Sequence, residues 1–393
     1  MSPELTQDLL LRHKRMQQIM RAQQVDACLL TGPANLCYAI GMVANAYFYL
    51  PDEGSAFLFV HRSMPMEGEG IFPYSRLEEI PQILQEEGLD MPLTIALEED
   101  EISAREYQRL INVFSPAQPV SNANIARTAR MVKTPYEIAQ MRIDGAKLAE
   151  CYARVPQLYE TGMTDLEFSA AIEHDLRRHG HHGLFRTFGF RMEAHMGTVL
   201  VGDNAAYPSP YDFSLGGKGM HPLLPLGPAG HVMQEGMSAM VDLSGNFSGF
   251  MLDLSRTFSV GALPQRAHDL HRLSIEMMET LADAGKAGVP CNQLYEKAYE
   301  LVERHDAKDG FMGLKKQAKF IGHGIGYEIN ELPVISARYA VPLEENMVIA
   351  LEPKFIVPGV GAVGVEDSFI VTKKGLESIT NFVTRDIVDL KKE

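Results

Sequence analysis

The chain is poor in cysteine and has no CxxC pair: Cys28, Cys37, Cys151 and Cys291 lie scattered along 393 residues. That spacing excludes a zinc knuckle and offers no disulfide framework, so reduced thiols in a cytoplasmic setting are the simplest reading. Long apolar runs are missing too. The most apolar stretch, LCYAIGMVANAYFYL at 36–50, includes Asn45 and falls short of the roughly 20 residues a membrane span needs. The opening segment MSPELTQDLLLRHKRMQQ lacks the apolar core of a signal peptide. Positive charge is in deficit: 36 Lys and Arg against 51 Asp and Glu leave a formal charge of -15, with no local basic patch to offset it. Such a surface repels a phosphate backbone and argues against nucleic acid as a partner. No internal repeat or low-complexity tract is visible.

What is present is globular composition, 46% hydrophobic and 22% charged, on a chain too long for one ordinary core. Two domains of unequal size are expected. Leu5, Leu9, Met16 and Met20 share one helix face, and DACLLT (26–31), GSAFLFVH (54–61) and LTIALE (93–98) read as strands. Helical candidates RLEEIPQILQEEG and AREYQRLINVF alternate with them, which points to an α/β domain over 1–130. In the second domain, 131–393, Thr134, Pro135 and Glu137 mark a helix start. Thr164 and Glu167 form a capping-box signature for the next helix, which Gly180 closes. Strands are expected from Gly183 onward, interrupted by a Gly/Pro-rich segment from Pro208 to Gly230 that reads equally as a functional lid or a linker. Helices over 264–287 and 291–306 precede a final group of strands.

The chemistry gathers in carboxylates set among apolar residues. AMVDLSGNFSGFMLDLSRTFSVG (239–261) reads as two strands around a turn at Gly245–Gly249. In the second strand Met251, Asp253, Ser255 and Thr257 share one face, and the opposite face, with Phe250, Leu252, Leu254 and Phe258, is expected to be buried. Asp242 stands between Val241 and Leu243, Glu352 ends the strand in NMVIALEPKF, and Glu366 lies in VGVEDSFIV. His323 is framed by glycines in IGHGIG, where backbone must pass close to something. A buried carboxylate needs a cation or several donors. Four carboxylates and one imidazole suit a pair of divalent ions, with manganese, cobalt, iron and zinc all compatible.

The succession VDLSGNFSGFMLDLSRTF, GHGIG, LEP and VED resembles the pita-bread metallopeptidases, which include aminopeptidase P, prolidase, methionine aminopeptidase and the non-peptidase creatinase. The resemblance covers essentially the whole chain, because residues 1–130 look like a creatinase-type N-terminal domain and KTPYEIAQMR like the usual junction. It implies an α+β pita-bread catalytic domain, commonly dimeric. It also implies Asp242, Asp253, His323, Glu352 and Glu366 as metal ligands, with Asp253 and Glu366 bridging two ions and Glu352 acting as general base.

The chain also departs from that pattern. Asn330 stands where the family carries a substrate-contacting histidine in a HExP motif; an amide can donate a hydrogen bond but cannot titrate. The family histidine before the first Asp falls on Ser209 or on Leu226, depending on alignment through the insertion, and His221 and His231 lie nearby. Gly364 replaces a frequent arginine. Arg256 reads either as a donor orienting the ligands or as an ordinary ion-pair residue. The HGHHG run (179–183) reads as a helix terminus, and the 21 methionines, Met192 and Met196 among them, as packing. The leading expectation is a metal-dependent hydrolase of peptides or small amides, with Asn330, His221 and Ser209 near the substrate. A creatinase-like hydrolase of a small non-peptide C–N bond and a non-catalytic binding protein are the alternatives.

Overall fold

The computed structural model describes residues 2–391 apart from 122, 190, 191, 193, 194 and 212. The chain separates into two compact units, Met1–Tyr136 and Glu137–Glu393. The first carries α1 (Pro3–Gln23), β1 (Ala27–Leu30), α2 (Pro33–Ile40), β2 (Ala46–Pro51), β3 (Phe57–His61), β4 (Ile71–Tyr74), α3 (Ile80–Glu86), β5 (Thr94–Leu97), α4 (Ala104–Val113), β6 (Gln118–Pro119) and α5 (Ile125–Arg130). Its strands form one mixed sheet in the order β4-β3-β2-β1-β5-β6. The apolar run 36–50 divides between α2 and β2, because Gly41 at φ 74° ends the helix in a left-handed turn. Leu29, Tyr49, Phe59, Ile80, Leu84, Ile95 and Phe114 pack as the core of this unit.

After α6 (Pro135–Arg154), which starts at the boundary, the second unit continues with α7 (Asp165–Arg178), β7 (Gly197–Val201), β8 (Ser238–Gly245), β9 (Leu252–Ser259), α8 (Gln265–Ala284) and α9 (Cys291–Arg304). Then come β10 (Phe320–Gly324), β11 (Glu331–Ser336), β12 (Val348–Leu351), β13 (Lys354–Val357), β14 (Gly361–Gly364), β15 (Asp367–Val371), β16 (Leu376–Ser378) and β17 (Val388–Asp389). They build sheets in the orders β17-β9-β8-β7 and β11-β10-β12-β15-β16, with β13 and β14 as a separate pair. Among the described residues, no helix is long and apolar enough to cross a membrane.

Local chemistry explains the element ends. The Thr164 hydroxyl accepts from the Glu167 amide at 3.2 Å, and the Glu167 carboxylate accepts from the Thr164 amide at 2.8 Å, so the capping box starts α7. The β8–β9 hairpin is anchored from α6: the buried Asp144 carboxylate accepts from the amides of Phe247 and Ser248 and from the Ser248 hydroxyl, at 3.2, 3.1 and 2.8 Å. Both faces of β9 are buried, not one, because its polar face is covered by the C-terminal strands. Ser255 donates to Glu366 at 2.7 Å and Thr257 to the Gly364 carbonyl at 2.8 Å, so polar residues there are satisfied rather than solvated.

Strand structure does not begin at Gly183. Residues 181–187 are irregular and the first strand of this unit starts at Gly197. The reason lies in HGHHG, whose central histidine is structural. His181 Nδ1 accepts from the Gly183 amide at 2.9 Å and its Nε2 donates to the Ser244 carbonyl at 2.9 Å, so side-chain bonds replace a strand ladder and hold the ring neutral. His179 sits at the α7 terminus, bound to the Asp175 carbonyl.

The segment 208–230 is tied down. The Asp165 carboxylate accepts from the amides of Ala229, Gly230 and His231 at 2.8–2.9 Å, and Asn204 holds both the Lys218 amide and the Gly227 carbonyl.

Two outcomes follow for stability. Asp144→Ala leaves the hairpin amides without their acceptor and should cost about 2 to 4 kcal/mol in urea unfolding, with Asp144→Asn costing less; a loss below about 0.5 kcal/mol would remove the anchor role. Burial holds the His181 pKa below its ordinary 6.5 despite the bond to Ser244, so its stabilising contribution is complete above that value and is lost as pH falls. The urea midpoint should therefore drop between pH 7.5 and 5.5 by more in wild type than in His181→Gln. Equal drops would assign the acid sensitivity to other groups.

Candidate metal centre

Strand pairing brings the five acidic and imidazole residues of the second unit to one place. Asp242 and Asp253 are carried by neighbouring β8 and β9, in a register that sets Ser244 opposite Asp253 and Asp242 opposite Ser255. His323 lies on β10 opposite Ala350 of β12, and Glu352 follows the end of β12 with its amide on the Ile321 carbonyl at 2.9 Å. Glu366 is not inside a strand; it occupies the break between β14 and β15 and bridges to Ser255 of β9. The glycines around His323 serve strand approach: a Cβ at Gly322 would lie 2.2 Å from the Ala350 carbonyl oxygen, and one at Gly324 2.0 Å from that of Leu332.

The imidazole faces carboxylates. His323 Nδ1 donates to the Gly324 carbonyl at 3.1 Å, and Nε2 stands 3.8 Å from Asp253 Oδ2 and 3.7 Å from Glu352 Oε1. Those separations are too long for hydrogen bonds. Ligands about 2.1 Å from a common ion lie roughly 3.4 to 3.8 Å apart at tetrahedral to slightly wider angles, which is the spacing seen here. One ligand atom from each of Asp253, His323 and Glu366 falls within 4.8 Å of the others. Glu366 Oε1 is buried and has no hydrogen-bond partner among the described residues. On this side the cage fits a single divalent ion.

The other side holds a residue that a ligand-by-ligand reading misses. Lys354, 1% exposed, donates to Glu366 Oε2 at 2.7 Å, Asp242 Oδ2 at 2.8 Å and Glu352 Oε2 at 3.0 Å. An ammonium has three donors, and all three are used on carboxylates. Burial works against its charge, yet Asp242, Glu366, Glu352 and Asp253 hold Lys354 well above the ordinary lysine range. Burial and the neighbouring carboxylates Glu366 and Asp242 push Asp253 well above the usual carboxylate range. Glu352 is held low: burial opposes its ionisation, but Lys354, His323 and a hydrogen bond from Ser214 outweigh it. The carboxylate oxygens that Lys354 leaves unengaged, Asp253 Oδ2 and Glu352 Oε1, are the ones that face His323. The signal in the sequence was the period of two, since Glu352 and Lys354 stand two apart in an extended run and share a side.

The remaining residues fall into place around this cage. Arg256 is buried, pairs with Asp367 at 2.8 Å and donates to the Glu366 carbonyl at 2.8 Å, so it holds the backbone of Glu366 rather than its carboxylate. Ser214, in the insertion, donates to Glu352 Oε2 at 2.5 Å. Asn330 Oδ1 accepts from the Phe188 amide at 2.8 Å, and among the described residues its Nδ2 meets the Met192 sulfur at 3.6 Å. Ser209 is buried, its hydroxyl accepting from the Tyr211 amide at 3.0 Å, and Leu226 is also buried. His221 is exposed, with Nδ1 accepting from the Leu223 amide at 3.2 Å. At Gly364, φ is 142° and a Cβ would lie 2.5 Å from the Pro353 carbonyl oxygen, so this backbone admits no arginine there.

The chain was compared with known proteins. Residues 12–132 match the creatinase/prolidase N-terminal domain. An Xaa-Pro dipeptidase of Lactobacillus helveticus is 26% identical over 289 residues, 73% of this chain and 70% of that one. The fold is similar to that of an Xaa-Pro dipeptidase from Bacillus anthracis, with TM-score 0.79 and 19% identity over 97% of this chain and 99% of the other. It is also similar to an X-Pro aminopeptidase from Thermotoga maritima, with TM-score 0.76 and 21% identity over 94% and 99%. Residues 139–373, which carry all five residues of the cage, match metallopeptidase family M24, and the chain belongs to that family.

Proposed function

We propose that this protein is a metal-dependent peptidase acting on short peptides with proline in second position. The observation that carries the reading is the convergence of Asp253, His323, Glu352 and Glu366 around one ion-sized space in a chain of this family. The names of the relatives, Xaa-Pro dipeptidase and X-Pro aminopeptidase, supply the substrate class. Asp253, His323 and Glu366 would hold a divalent ion, with manganese, cobalt, iron and zinc all suited to two carboxylates and an imidazole. When bound, the ion supplies Lewis acidity at the scissile carbonyl.

The protein's own groups do the rest. Glu352 is kept ionised by Lys354, which occupies Oε2 together with Ser214, while Oε1 faces His323 and is free to take a proton from water. Asn330 spends its Nδ2 on a thioether, a weak acceptor, so the amide loses little by turning that donor to a substrate oxygen. Unlike a histidine, it moves no proton there. Ser209 and His221 are engaged in local turns and are given no part in the reaction.

Mass spectrometry of a mixed peptide library should show release of the residue preceding proline by protein reloaded with manganese, cobalt or zinc, and none by metal-stripped protein. No cleavage in any metal state would overturn the peptidase reading and direct attention to small non-peptide C–N substrates. Glu352→Gln should lower kcat by about 10² to 10⁴ with an unchanged far-UV circular dichroism spectrum. Near-normal turnover would remove Glu352 from the mechanism.

A further inference from the structure

We infer that the Lys354 ammonium permanently occupies one of the two cation positions that a cage of this composition suggests, so that the centre takes a single divalent ion, beside His323. This deepens the peptidase reading above and rests on the same site. The argument is geometric. Nζ lies 2.7 to 3.0 Å from one oxygen each of Asp242 on β8, Glu352 just after β12 and Glu366 between β14 and β15. The side chain is 1% exposed and its three donors are all used on these oxygens, so it has nowhere to withdraw without abandoning charge-assisted bonds in the interior.

The ligand atoms divide accordingly. Asp242 Oδ2 and Glu366 Oε2 point at the ammonium, whereas Asp253 Oδ2 and Glu352 Oε1 stand toward His323 Nε2 and Glu366 Oε1 has no hydrogen-bond partner among the described residues. Asp242 therefore serves the lysine, not an ion. Charge permits this division: with the ammonium and one divalent ion beside them, the four carboxylates keep one net negative charge.

Backbone packing supports a fixed position. Lys354 begins β13 opposite Gly364, and a side chain at Gly364 would press on the Lys354 Cα at 2.9 Å. The missing side chain lets β13 and β14 approach closely enough to bring Nζ and the Glu366 carboxylate together.

The test is ion stoichiometry, read by elemental analysis of full-length protein saturated with Mn2+ and freed of excess by gel filtration. Electron paramagnetic resonance of the same samples separates isolated Mn2+ from an exchange-coupled pair. Wild type should saturate at one isolated ion per chain. Asp242→Asn should still bind one ion, with Kd changed by less than about threefold, roughly 0.6 kcal/mol. Lys354→Gly, which removes both charge and bulk, should bind a second ion and show the coupled signal.

Two ions in wild type, loss of an ion in Asp242→Asn, or a folded Lys354→Gly that stays at one ion would each overturn the inference. If Lys354→Gly does not fold, wild type and Asp242→Asn decide the matter. Peptide cleavage by a two-ion wild type would sink the single-ion centre and leave the peptidase reading standing. One ion without cleavage of any peptide would do the reverse.

Discussion

Four carboxylates in one protein interior cannot all remain ionised without cations beside them, and the catalytic unit is organised around meeting that demand. Lys354 meets part of it with three hydrogen bonds from a fully buried ammonium. The consequences differ among the carboxylates. Glu352 is held ionised, while burial with Glu366 and Asp242 pushes Asp253 upward, and burial with Glu352 and Asp242 pushes Glu366 upward against Lys354, which is the condition of groups that still want a cation. The unpartnered Glu366 Oε1 is the same demand seen in hydrogen bonding.

Such a cluster is costly, and the surrounding structure holds it by bonds made one residue away from the charged groups. The Ser274 hydroxyl on α8 donates to the Pro353 carbonyl at 2.5 Å and accepts from the Val365 amide at 3.1 Å, tying the neighbours of Glu352 and Glu366 to one helix. Asp367 receives Arg256, Arg385 and Thr380, so the residue following Glu366 is itself fixed by two guanidinium groups. Asp144 does the same for the hairpin that carries Asp242 and Asp253. Each contact positions backbone, which leaves the cage side chains free to face inward.

The insertion at 208–230 belongs to this arrangement more than to a mobile cover. Asp165 and Asn204 hold it at several points, and Ser214 delivers a hydroxyl to Glu352. Lys354 and Ser214 together take one oxygen of Glu352 and leave the other facing His323. Asn330, bound to the Phe188 amide, keeps a donor where the family pattern has a titratable ring. The groups that would handle substrate have thus changed their capacity for proton transfer, while those suited to hold an ion are retained.

Short-range patterns made much of the architecture legible. The capping box at Thr164, the hairpin around Gly245–Gly249, the two-residue period of β9 and the helices before β10 follow from local propensity and hydrophobic spacing, which act over a few residues. The residues of the cage stood out because acids among apolar neighbours are expensive and need a reason. What the sequence could not show is which of them share a cation. That depends on strand register across β8, β9, β10 and β12 and on the approach of β13 to β14, contacts between residues as far apart as Asp242 and Lys354. A lysine beside an acidic cage is locally unremarkable. Only the tertiary structure turns its side chain inward, and the length of that side chain then decides that an ammonium stands among the carboxylates.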